Sequence, residues 1–141
     1  MQARGTSLGG HWTGVFDYDD EDQEAVPFNA SLFDVAGAVW GTSQEPNSFA
    51  PGFAEALDAE INGFRTGKEV RFRKTYVGAP PNGEYPVQYA GHINAKGNRV
   101  EGRWAIVTPF GKIGGPFVMD RDGGTAVEIT ATAGVYIDVE T

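Results

Sequence analysis

Lys74, Tyr76 and Tyr89 are the residues of this chain best suited to chemistry. In a strand, successive side chains point to opposite faces. Across the segment Lys68 to Val77, one face carries Val70, Phe72, Lys74 and Tyr76, and the other carries Arg71, Arg73, Thr75 and Val77. Val70, Phe72 and Tyr76 mark a core face, so Lys74 is an ammonium set among apolar side chains. Such a group must reach out to water, pair with a carboxylate or meet a ligand, because an unpaired buried charge is costly. Tyr89 shares a face with Val87, Gly91 and Ile93 and should also point inward. If the segments Lys68 to Val77 and Tyr85 to Asn94 are hairpin neighbours, the ammonium and the two phenols meet across the ladder. That group could hold a carboxylate or an enolate oxygen. The competing reading is a structural salt bridge from Lys74 to Glu45, Asp34 or Glu60, capped by the tyrosines.

Other candidates are weaker. Glu45-Pro46-Asn47 opens a stretch rich in Pro, Asn and Ser. Read as a loop over a pocket mouth, it would aim Glu45 in a definite direction, because proline fixes the backbone. Arg121 alternates with Phe117 and Met119, so it should reach one end of the core and stack on an indole, Trp12 or Trp104. Together with Phe72 and Trp104 on inward faces, the candidate ligand-facing set is Lys74, Tyr76, Tyr89, Glu45, Phe72, Trp104 and Arg121. The two histidines, His11 and His92, alternate out of phase with the core positions and make a poor zinc site. The acidic run Asp17 to Glu24 lacks the glycine at the sixth position that an EF-hand loop needs and reads as a solvated hairpin loop. There is no phosphate loop before a helix and no Gly-x-Ser-x-Gly elbow. No catalytic residue, metal or cofactor is expected.

The bulk composition narrows the class. A chain of 141 residues is read as one domain, long enough to bury a core without cysteine, of which it has none. The net charge of −8 argues against a nucleic-acid partner. Four of its 11 Lys and Arg residues nevertheless fall between Lys68 and Lys74, which leaves a local anion site open. No apolar run approaches the roughly 20 residues of a membrane helix, and no signal peptide is visible, so a cytoplasmic protein without membrane association is the expectation.

The elements that must position these residues are strands. The 20 glycines and eight prolines are spread along the chain among plentiful aromatics, as suits short strands with tight turns. Alternating segments run Gly10–Tyr18, Val26–Val35, Ala38–Ser43, Ala56–Phe64, Lys68–Val77, Tyr85–Asn94, Arg99–Val107 and Ile113–Arg121, followed by a β-prone tail, Thr125–Val139. The spacing predicts an all-β fold, an eight-stranded up-and-down antiparallel barrel with a core over about residues 10–121, and a two-sheet sandwich as the alternative. A barrel of about eight strands is just wide enough to fill with side chains or to hold one small ligand.

The motifs taken together carry a resemblance. Gly10-x-Trp12-x-Gly14-x-Phe16-x-Tyr18, Pro27-Phe28, Gly41 and Glu45-Pro46-Asn47 come first. Val70-x-Phe72-x-Lys74-x-Tyr76-x-Gly78, Val87-x-Tyr89-x-Gly91, Gly102-x-Trp104 and Gly115-Pro116-Phe117-x-Met119-x-Arg121 follow. The series resembles a family of small bacterial proteins with a calycin-like barrel. It is distantly similar to the β-barrel substrate-binding domain of a eukaryotic F-box protein, and Gly10-x-Trp12 resembles the first strand of lipocalins. The resemblance implies a pocket for a small ligand or a chain end. Three expectations result: a module binding a small apolar or anionic ligand; a cofactor-free isomerase or cyclase with Lys74 or Tyr76 as acid and Glu45 as base; and a homo-oligomer assembled through the tail.

Overall fold

The two-residue alternation becomes eight strands: β1 (Gly10–Phe16), β2 (Val26–Val35), β3 (Ala38–Pro46), β4 (Ala56–Thr66), β5 (Glu69–Tyr76), β6 (Val87–Ile93), β7 (Arg99–Thr108) and β8 (Gly111–Arg121). The computed structural model describes residues 7–47, 55–78 and 85–122. Each strand pairs antiparallel with the next, and β1 pairs with β8, so the sheet closes into an up-and-down barrel. Closure leaves no unpaired edge among the described strands. The sandwich alternative is thereby excluded. The tail 125–141 and the loop 80–83 lie outside the described residues.

Inward positions build the core. β5 alternates buried and exposed along its whole length, with Val70, Phe72, Lys74 and Tyr76 inside and Arg71, Arg73 and Thr75 outside. Trp12, Leu32, Ile93, Val100 and Met119 are fully buried. The inward glycines Gly91 and Gly102 face each other across β6 and β7. A Cβ on Gly102 would collide with the Ala90 carbonyl and one on Gly91 with that of Glu101, so only glycine lets the two strands lie this close here.

The two ends of the barrel differ. At one end the connections are tight. Ala36 and Gly37 both have positive φ, 53° and 94°, the backbone of a two-residue hairpin. Asp34 accepts from Leu8 N at 2.8 Å, Gly37 N at 3.0 Å and Arg65 Nε at 2.7 Å, which ties the segment before β1, the β2–β3 turn and the end of β4 together. Arg121 lies beneath this latch with its guanidinium 4.3 Å from the Trp12 ring, donating to the carbonyls of Ser7, Gly9 and Gly97. Of the two indoles expected for Arg121, the structure selects Trp12. At the other end the connections 17–25, 47–55 and 77–86 are longer, and this end forms the mouth.

Two sequence expectations change here. β3 does not stop at Ser43; it continues to Pro46, so Glu45 is an inward strand residue and not part of a loop over the mouth. The register Glu45↔Leu57 shows why: β4 begins at Ala56 and pairs the extra residues. The gap between the expected segments Arg99–Val107 and Ile113–Arg121 shrinks to a turn, because β7 and β8 stay paired as far as Thr108↔Gly111.

Candidate functional site

Lys74 and Tyr76 alternate inward near the mouth end of β5, and Tyr89 enters from β6. The register places Phe72 directly opposite Tyr89 and Lys74 opposite Val87, so Lys74 and Tyr89 are diagonal neighbours. Glu45 approaches from β3, two strands away. Its carboxylate crosses the inward edge of β4, where the small Ala59, opposite both Ser43 and Tyr76, does not block the approach.

These residues form one hydrogen-bonded cluster. Lys74 Nζ donates to Glu45 Oε1 at 2.7 Å, and the Tyr76 hydroxyl donates to Glu45 Oε2 at 2.8 Å. Lys74 is 3% exposed and Glu45 2%, so the ion pair is removed from water. The ammonium also lies 4.7 Å from the Phe16 ring centre, 5.0 Å from that of Tyr76 and 5.4 Å from that of Tyr89, a cage of ring faces suited to a cation. Of the three carboxylates considered as partners, Glu45 is the one used. Asp34 is held by Arg65 at the far end, and Glu60 faces outward.

The electrostatics follow from this packing. Burial alone would lower the Lys74 pKa; the Tyr89 and Tyr76 phenols and the Glu45 carboxylate outweigh it and hold the ammonium well above the usual lysine range. Burial pushes the Tyr76 phenol up, with Lys74 opposing and Glu45 reinforcing the shift. Tyr89 is raised for the same primary reason. All three groups therefore keep their protons across the neutral range.

Beside the cluster is a cavity of about 160 Å³ opening at the mouth. Lys74, Tyr76, Tyr89 and Trp104 line it, joined by Phe16, Tyr18, Tyr85, Val87, Ile106 and Ile113. Its aromatic walls interlock: Trp104 meets Phe16 edge-on at 5.5 Å and Tyr18 at 5.1 Å, and its Nε1 donates to the Asp17 carbonyl at 2.7 Å. Below it, Phe72 stacks on Tyr89 at 4.7 Å and Phe117 meets Tyr89 edge-on at 4.9 Å.

Four of the seven candidate residues thus line one cavity. Glu45 lies behind Lys74 and Tyr76 and does not line it; Phe72 is one layer deeper; Arg121 is at the opposite end. Phe16 and Tyr18, which share one face of the segment Gly10–Tyr18 with Trp12, line the cavity although they were outside the candidate set. Ile106 and Ile113 carry no signal beyond alternation, because only the pairing Ile106↔Ile113 at the rim reveals them. His11 is half-buried with Nδ1 3.0 Å from Ser31 Oγ, and His92 is exposed. Among the described residues no group of three His, Cys, Asp or Glu side chains could hold a metal ion, and no helix is long and apolar enough to cross a membrane. Comparison of the chain with protein-family models, curated proteins and solved structures finds no match.

Proposed function

We propose that the barrel is a binding module whose mouth cavity takes a small, uncharged, largely aromatic ligand. The observation that carries this reading is the pairing of Lys74 with Glu45 beside a cavity walled by aromatic rings. A lysine awaiting an anion would present an uncompensated charge. Here the carboxylate is already supplied by the protein, so a second anion would be repelled by Glu45 and stripped of water without a new cation. What remains for a ligand is apolar and aromatic surface with phenol hydroxyls at its edge, the usual composition of a small-molecule site. A cavity of about 150 Å³ lined by apolar side chains accommodates one benzene-sized molecule. The acid–base reading is less well supported, because both Glu45 oxygens accept from Lys74 and Tyr76 and the carboxylate does not line the cavity.

Native mass spectrometry of the protein as purified tests for a retained ligand, and Ile106→Trp tests the place. The indole should fill the cavity while leaving the Lys74–Glu45 bond intact, so it abolishes binding while the melting temperature stays near that of the parent. Binding that survives Ile106→Trp, or that is lost with Arg121 variants in a folded protein, would move the site elsewhere.

A further inference from the structure

The alternation that buries Lys74 pushes a second set of cations outward. Arg71 and Arg73 on β5, Arg103 on β7 and Lys112 on β8 are all exposed and all line one trough of about 980 Å³ on the outer wall of the barrel. In a chain of net charge −8 with 11 Lys and Arg residues, four meet here, and among the described residues a single carboxylate, Asp19, joins them. The register explains the shape. Arg71 pairs with Ala90 and Ala90 with Arg103, so two arginines flank an alanine across three strands. In the next row Arg73, Gln88, Ala105 and Gly114 lie side by side. Small residues form the floor, and cations stand on both rims. Among the described residues, Arg71, Arg73 and Lys112 have no carboxylate partner. Arg103 has one, and it comes from the acidic connection between β1 and β2: its Nη2 donates to Asp19 Oδ2.

We infer that this trough is a docking surface for an extended, Asp- and Glu-rich segment of a partner protein, and that the chain's own acidic connection partly competes for it. Charge complementarity selects the occupant, and Asp19 on Arg103 shows the carboxylate the wall already accepts. Spacing agrees. Arg71 and Arg73 are two residues apart on one strand, about 6.8 Å, which is also the same-face repeat of an extended peptide. A partner with acidic residues at alternate positions therefore meets one arginine after another, each through a charge-assisted hydrogen bond. Nucleic acid fits less well. A single strand needs stacking platforms, and the trough floor of Ala90, Ala105 and Gly114 offers none; Phe64 is its exposed aromatic, at the rim.

The test uses the full chain and fluorescence anisotropy with a short labelled peptide alternating glutamate and serine, an equivalent glutamine–serine peptide and a labelled single-stranded oligonucleotide. The glutamate peptide binds, and its affinity falls as salt rises. The double variant Arg71→Gln, Arg73→Gln weakens it about tenfold, whereas Asp19→Asn tightens it roughly threefold by releasing Arg103. All these side chains are exposed, so both variants should melt like the parent. Undetectable binding at low salt, equal binding of the glutamine peptide, an unchanged affinity in the double variant, or tighter binding of the oligonucleotide would each overturn the proposal.

Discussion

At the scale of single residues, the central fact is a buried charge with an internal partner. Lys74→Met leaves Glu45 buried beside only the Tyr76 hydroxyl, and Glu45→Leu leaves the ammonium unpaired; each should destabilise the barrel by about 3–5 kcal/mol. Replacing both at once should cost far less than the sum, because an apolar pair leaves no orphan charge. Chemical denaturation of the two single variants and the double variant measures this coupling. Ser43 is the complementary case. Its Oγ is buried with no hydrogen-bond partner among the described residues, so Ser43→Ala should be neutral or stabilising by up to about 1 kcal/mol. The inward position of Lys74 and Tyr89 was legible from alternation alone. The partner of Lys74 was legible only as one of three carboxylates, because Glu45 sits before a proline in a polar stretch that reads as loop, and the pairing of β3 with β4 is what turns it inward.

At the scale of elements, the closed end and the strand crossings set stability. Asp34 accepts from two nitrogens of the Arg65 guanidinium and from two backbone amides. Burial would raise its pKa, but the Arg65 hydrogen bond and the Leu8 and Gly37 amides lower it overall. A carboxylate with a depressed folded pKa contributes stability that is present above its unfolded value near 4 and is lost as pH falls through the folded value. Asp34→Asn should therefore unfold with less denaturant at neutral pH, by about 1–3 kcal/mol, and the gap between variant and parent should shrink in acid. Gly102→Ala should cost about 1–3 kcal/mol, since its methyl meets the backbone of β6 rather than a movable side chain. The strand succession and its turns were readable because glycine and alternation mark them. Boundaries at the mouth were not, since Pro46 and Gly111 read as breakers although their strands remain paired.

At the scale of the whole molecule, the barrel combines a plugged end, a neutralised interior and a mouth. Lys74, Tyr76 and Tyr89 all hold their protons more tightly folded than unfolded. The stability they contribute is complete below their unfolded values, about 10, and declines as pH rises beyond them. The barrel should therefore unfold cooperatively in alkali, with the Tyr76 and Tyr89 phenolates appearing together with the loss of structure, as absorbance and circular dichroism recorded on one sample would show. Early ionisation of these phenols in a folded barrel would mean that the cluster is open to water. An eight-strand closure was legible from spacing, whereas the sign of the cavity was not. Lys74 on its own leaves an anion site and an internal salt bridge both open, and its 2.7 Å bond to Glu45 is what favours a neutral ligand in the proposed function. The most direct test is therefore a matched titration, by isothermal calorimetry, of indole against indole bearing a carboxylate. Neutral indole should bind at least about tenfold tighter, the cost of one uncompensated charge at a buried site being no less than that. Tighter binding of the carboxylate would contradict it and return Lys74 to the role of anion receptor.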